Sequence, residues 1–177
     1  MKTKVIIGVV ALYLMCQIIA DVTATKIVDV FGITFPAGTF IYAISFTARD
    51  LAHKQLGKKD TLFLVGIGAV VNVLMALYFI MAIKLPYPAF WKGQVAYEQV
   101  LGIVPRIVIA SILAELVSQV VDTVIYQYAW DRKLPQYMRV LLSNIIATPV
   151  DSALFAVVAF AGIMPVPALI GLALGQT

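Results

Sequence analysis

Residues 62–83 read LFLVGIGAVVNVLMALYFIMAI, an unbroken run without a charge in which Asn72 is the one strongly polar residue. A helix needs ~20 consecutive apolar residues to cross the hydrocarbon of a bilayer. This stretch therefore predicts a transmembrane helix. Five other stretches behave in the same way. Residues 5–20 are apolar apart from Gln17, and that helix runs on to about Thr25. Residues 30–48 carry no charge. Residues 103–128 are apolar but interrupted by Arg106, Glu115, Gln119 and Asp122. Residues 140–162 contain only Asp151, and residues 163–176 are apolar but short, with Pro165 and Pro167 near their start.

Composition agrees. Of 177 residues, 62% are hydrophobic and 12% charged, with a mean hydropathy of +0.98. A soluble domain carries about a quarter of charged residues, and this chain has too little polar surface to cover a water-soluble globule. The apolar runs are continuous and do not alternate, which disfavours strands and a barrel. Helices satisfy their own backbone in lipid. The expectation is an all-α, polytopic membrane helix bundle of about six transmembrane helices, forming one domain over residues 1–177. Cys16 is the sole cysteine, so no internal disulfide forms. No small-residue cleavage site precedes Asp21, Thr25 and Lys26, so the first segment is expected to stay on the protein.

The net charge of +4 is not that of a nucleic-acid face, because the basic residues lie between apolar runs. They read as topology signals. With the N-terminus inside, nine basic residues (Lys2, Lys4, Arg49, Lys54, Lys58, Lys59, Arg132, Lys133 and Arg139) are cytoplasmic and four (Lys26, Lys84, Lys92 and Arg106) are outside. The expected location is the inner membrane, with a cytoplasmic N-terminus. Residues 84–102 form an outer loop rich in interfacial aromatics, among them Tyr87, Trp91 and Tyr97. Residues 49–60 form an inner loop.

Polar residues inside the spans carry the functional signal, since a carboxylate at mid-bilayer costs several kcal/mol unless it meets protein or water. Ser111, Glu115, Ser118 and Asp122 are spaced 4, 3 and 4 and share one helix face, with Gln119 at its edge. Asn144, Thr148 and Asp151 form a second stripe, and Gln17 and Asp21 lie one turn apart. Such stripes are expected to face a shared polar cavity. The plainer reading of Ser111, Ser118, Thr148 and Asn72 is interhelical hydrogen bonding. Arg106 is near an outer helix end, where it can snorkel. Asp122 and Asp151 near inner helix ends could instead pair with Arg132 or Arg139. Pro149 is expected to kink its helix. A short echo links Ser118-Gln119-Val120-Val121-Asp122-Thr123-Val124-Ile125-Tyr126 to Ala147-Thr148-Pro149-Val150-Asp151-Ser152-Ala153-Leu154-Phe155.

No catalytic set accompanies these residues. The chain has no HExxH, GxSxG, Walker A or Cys–His pair, and His53 has no partner at metal-ligand spacing. No enzyme activity, cofactor or metal is expected.

Three groups of residues resemble the VUT family of queuosine precursor transporters. The first is Ala24-Thr25-Lys26-Ile27 followed by Phe35-Pro36-Ala37-Gly38-Thr39-Phe40. The second is Arg49-Asp50-Leu51 followed by Leu56-Gly57-Lys58-Lys59. The third and most specific runs Phe90-Trp91, Glu98, Pro105-Arg106, Ala110-Ser111, Ser118-Gln119 and Asp122, then Arg139, Asn144 and Asp151-Ser152. His53-Lys54 replaces the family's Thr-Glu pair, and Thr148 replaces its Gln or Asn.

The resemblance implies uptake of a purine-like small molecule, a 7-deazaguanine base, for salvage into tRNA. For such a base the charged stripe suggests Glu115 or Asp122 as acceptor of its paired N–H donors, with Gln119 or Asn144 donating to its carbonyl. Ser111 and Arg106 belong to the same candidate set. Phe40, Tyr42 or Phe46 would stack on the ring. Asp151 or Asp21 would meet the ammonium of an aminomethyl precursor. The expected partners are this substrate and the lipid bilayer, with a homodimer or an energising module as a further partner. The rival readings are a substrate-binding subunit of an energy-coupled vitamin or purine transporter, and a structural membrane protein that transports nothing.

Overall fold

The computed structural model describes residues 2–176, with every side chain except those of Lys2, Asp50 and Lys58. Those three side chains, used above for orientation and for the second resemblance group, lie outside the described residues, as do Met1 and Thr177. In chain order the elements are α1 (Lys2–Thr23), β1 (Ile27–Val30), β2 (Ile33–Pro36), α2 (Gly38–Leu56), α3 (Lys58–Lys84), α4 (Gln94–Leu101), α5 (Val104–Asp131), α6 (Gln136–Phe160) and α7 (Val166–Gly175).

Four helical stretches are long and apolar enough to cross a membrane: Thr3–Thr23, Lys59–Lys84, Gln94–Asp131 and Gln136–Phe160. At 1.5 Å per residue, α3, α5 and α6 are each ~38–42 Å long, more than the ~30 Å hydrocarbon core. Their outward side chains suit lipid: Leu74 and Tyr78 on α3, Val120 and Val124 on α5, and Ile145 on α6 are all exposed. The protein is a polytopic α-helical membrane protein.

Three expectations about segment limits need correction. Residues 30–48 do not form one helix, because a β-hairpin occupies their first part. Its sequence, Ile-Val-Asp-Val and Ile-Thr-Phe-Pro, is rich in β-branched residues, which favour strands. Phe31 and Gly32 both have positive φ, as the tight turn of a two-residue hairpin requires. Asp29 accepts from the Gly32 N–H at 3.1 Å and from the Thr34 hydroxyl at 3.4 Å, which pins that turn. The uncharged part of α2 is thereby cut to residues 38–48, ~16 Å of helix. The presumed inner loop at 49–60 is helical, with Gly57 the only break between α2 and α3. In the outer loop, residues 94–101 are the short helix α4, where Gln94 donates to the Ile83 carbonyl at 3.0 Å and to the Glu98 carboxylate. The last segment is short, as read from its sequence: α7 has ten residues, ~15 Å, and cannot cross alone.

The chain forms two compact units, one of Met1–Val28 and Pro36–Val108, the other of Asp29–Phe35 and Ile109–Thr177. In the first unit, α1 and α2 pack closely along a seam of small residues. Ala20 on α1, Ala24 just beyond its end, and Ala48 and Ala52 on α2 are buried. At Gly38 an added Cβ would run into the Ala20 carbonyl oxygen and crowd the Ala24 nitrogen at 3.1 Å. This close approach replaces hydrophobic driving force, which lipid does not supply between helices. Tyr13, Ala48, Ala52 and Leu64 form the core shared by α1, α2 and α3.

In the second unit, α7 folds back on the C-terminal half of α6 through a turn at Ala161–Met164, where Gly162 has φ +80. Phe160 and Leu172 are fully buried there. The end of α7 meets the hairpin, since a Cβ on Gly175 would strike the Thr34 carbonyl. Between α5 and α6, Lys133 takes a left-handed conformation (φ 57), and its N–H bonds the Trp130 carbonyl at 2.8 Å. The Leu134 N–H reaches the Ala129 carbonyl at 3.2 Å, closing the end of α5.

A Gly38→Val substitution puts a branched side chain against the Ala20 backbone. It should cost about 1–3 kcal/mol and lower the thermal unfolding midpoint of the detergent-solubilised protein. Gly8→Ala, at a position with nothing within 4 Å of an added Cβ, should not lower it. Equal midpoints for wild type and Gly38→Val would refute the seam.

Candidate functional site

Because α5 is helical throughout Val104–Asp131, the spacing of Ser111, Glu115, Ser118 and Asp122 places them on one face. All four are half-buried, whereas Leu116, Val117, Val120 and Val124 between them are exposed. The polar stripe is therefore the sheltered side of the helix. Ala110 and Ala114 lie beside it, fully buried, and their small size lets neighbouring backbone come close.

On α6 the buried face changes at Pro149. Before it, Ser143 and Ala147 are buried; after it, Ser152, Ala156 and Ala159 are. Nine residues from Ser143 to Ser152 make about two and a half turns, so the sheltered face moves to the opposite side of the helix. Proline lacks the N–H that would bond the Ile145 carbonyl, which loosens the helix where the change occurs. Asp151 sits at this point, half-buried.

A side-chain hydrogen bond joins the two helices within the unit. Ser118 Oγ donates to Asp151 Oδ1 at 2.9 Å and lies 3.2 Å from the Glu115 carbonyl. One turn away, Gln119 Nε2 donates to Glu115 Oε1 at 3.0 Å. Among the described residues, Asp151 Oδ2 has no hydrogen-bond partner and Asp122 has neither a hydrogen bond nor an ion pair. The arginines are engaged elsewhere. Arg132 lies over the Tyr128 ring at 4.8 Å. Arg139 lies over Trp130 at 4.0 Å and donates through Nε to the Leu134 carbonyl at 2.6 Å. Neither arginine neutralises Asp122 or Asp151. The arrangement presents carboxylate oxygens to an N–H donor or a cation.

Asn144 and Thr148 keep their shared face with Asp151 but are exposed. The other candidates belong to the first unit. Asp21 is buried on α1, and Arg106 is half-buried at the start of α5. Phe40 is exposed and Tyr42 half-buried. The Tyr42 and Phe46 rings meet edge-to-face at 4.9 Å, and the Arg49 guanidinium covers Phe46 at 5.0 Å. Phe46 thus has its ring face already occupied by a cation. Ser118 was legible in the sequence as a member of the stripe, but not as the residue that holds Asp151. Its place between Glu115 and Asp122 on one face was the available signal.

A double-mutant cycle tests the link. Ser118→Ala and Asp151→Asn should each alter thermal stability, with a coupling of about 0.5–2 kcal/mol between them. Strict additivity would mean that the bond contributes nothing.

The profile of the family described as "Putative vitamin uptake transporter" matches residues 36–177. A protein of Bacillus subtilis (strain 168) named "Probable queuosine precursor transporter" is 32% identical over 152 residues, which are 82% of this chain and 65% of that protein. The chain thus spans a little under two thirds of this relative's length. No solved structure matches significantly. The match over most of the chain, on a polytopic helical protein with sheltered carboxylates inside its spans, makes this chain a member of the vitamin uptake transporter family.

Proposed function

We propose that this protein is a single transport domain of the inner membrane that imports a queuosine precursor, a 7-deazaguanine base, for salvage into tRNA. Family membership and the name of the Bacillus subtilis relative support transport of such a compound. The observation that carries the reading is the Ser118–Asp151 bond at mid-span, which holds one carboxylate oxygen and leaves the other for a ligand. Lipid penalises such a group unless protein or a polar ligand meets it.

A deazaguanine presents a ring N–H and an exocyclic amine side by side, next to a carbonyl. A carboxylate accepts both donors at once. Asp151 and Asp122 suit this role better than Glu115, whose Oε1 already accepts from Gln119. Gln119 has a second amide hydrogen to give to the base's carbonyl, and Asn144 offers another. Ser111 extends the polar face of α5. An aminomethyl precursor is a cation and uses a second carboxylate. Alternating exposure of this polar interior to the two sides of the membrane would complete transport.

Uptake of radiolabelled precursor into salvage-dependent cells tests the assignment, with variants matched for membrane level. Asp151→Asn and Asp122→Asn should each reduce uptake at least about tenfold, the scale expected when a charge-assisted hydrogen bond is lost. Glu115→Gln should reduce it less. Wild-type uptake in all three variants would remove the site.

A further inference from the structure

The first unit contains a polar group that the reading above does not use. On α3, the residues Thr61, Leu64, Gly68, Asn72 and Ala76 are buried and recur every three or four positions, so they form one inward face. Asn72 stands at the middle of the span Lys59–Lys84 and is only 8% exposed. Its Oδ1 is buried and accepts no hydrogen bond among the described residues. A buried amide in a transmembrane helix normally bonds to a neighbouring helix, and one that does not costs about 1–3 kcal/mol. Asn72 is therefore not acting as interhelical glue.

The packing fixes what lies at its depth. Gly68 abuts Tyr13, since an added Cβ would stand 3.1 Å from Tyr13 Cε1. Ala48 and Ala52 on α2 share a cluster with Leu64 on α3, so these helices run back along each other from Gly57. Gly38 meets Ala20 while Ala48 and Ala52 cluster with Tyr13, so α2 also runs opposite to α1, and α1 and α3 run the same way. One turn beyond the Tyr13–Gly68 contact, Asn72 is level with Gln17. Gln17 is half-buried, and its Nε2 donates to Tyr13 Oη at 2.9 Å. Ser45, buried on α2, donates to the Tyr42 carbonyl at 2.7 Å. Gln17 gives one amide hydrogen, and Ser45 its hydroxyl, to partners within their own helices, and Asn72 Oδ1 accepts from neither.

We propose that Asn72 is a solute-binding residue, its Oδ1 accepting an N–H of a small planar heterocycle inside the first unit, with the Gln17–Tyr13 pair at the same depth. This rests on the chain being a carrier of a nucleobase-like solute, and it adds a recognition point separate from the carboxylates of α5 and α6. Only a donor fits such an acceptor, so the ligand class is a heterocycle with a ring or exocyclic N–H.

The test uses the complete protein in detergent, with 7-cyano-7-deazaguanine as probe and two readouts, the thermal midpoint without probe and the probe affinity. Asn72→Leu keeps the number and branching of the side-chain heavy atoms and removes the unpaired amide. Its midpoint without probe should equal or exceed that of wild type, while its affinity should fall at least about fivefold. Asn72→Asp, which keeps an acceptor oxygen in place, should bind more tightly than Asn72→Leu. If wild type binds and Asn72→Leu binds equally well, Asn72 has no part in recognition, although the transport reading stands. If wild type shows no response to the probe, both the transport reading and this assignment fail. A midpoint well below wild type in Asn72→Leu would reveal a hydrogen bond that stabilises the fold, and would overturn the assignment too.

Discussion

A bilayer offers no hydrogen-bond partners, so each polar atom within a membrane span must be met by protein, water or solute. This constraint organises the molecule. It selects helices for residues 62–83 and their counterparts, because a helix satisfies its own backbone. It also removes the hydrophobic effect as a force between helices, leaving close packing to do that work. The seam where Gly38 meets Ala20 and Ala24 is the result in the first unit. In the second unit, Ala110 and Ala114 flank the polar stripe of α5.

The same constraint separates two kinds of polar group. Some are closed locally. Thr23 donates to the Ile19 carbonyl at 2.6 Å, and Thr123 to the Gln119 carbonyl at 2.7 Å, so each hydroxyl stays within its own helix. Others remain open toward a neighbour, and these point to function. Among the described residues, Asp151 is held through one oxygen only, and Asp122 is held through neither. The basic side chains that could have closed them lie on aromatic rings near the α5–α6 turn. That turn draws its cations into stacking and away from the carboxylates.

How far the sequence could be read follows from the range of each interaction. The long apolar runs of α1, α3, α5 and α6 were legible because lipid acts on composition, which is a local property. The hairpin at Ile27–Pro36 was not read, because its apolar residues satisfy the same hydropathy test as a helix. Its real signals were the β-branched residues and the turn at Phe31 and Gly32. The break at Gly57 was hidden for a related reason: charged residues look like loop, yet Arg49, His53 and Lys54 continue the helix of α2 past its apolar part. At the site, helical spacing gave the stripe from Ser111 to Asp122. It could not give the partner across the unit, since the Ser118–Asp151 bond depends on the register of two helices. Nor could it reveal the change of buried face at Pro149, which leaves Asn144 and Thr148 exposed while Asp151 is sheltered.

A carrier has to tolerate its own empty state, and the half-held carboxylate meets that requirement. A fully unpartnered buried carboxylate would be too costly to keep between transport events. A carboxylate closed on both oxygens would have nothing to offer, and binding would first have to break protein hydrogen bonds. With Ser118 on Oδ1 and Oδ2 open, Asp151 avoids most of the first cost and escapes the second. The Gln119–Glu115 pair follows the same pattern, with an amide that engages one hydrogen and keeps another. Sites of this kind bind through a few incremental hydrogen bonds of about 0.5–3 kcal/mol each. On the function proposed above, that range is strong enough to select a base by its N–H pattern and weak enough to release it on the other side.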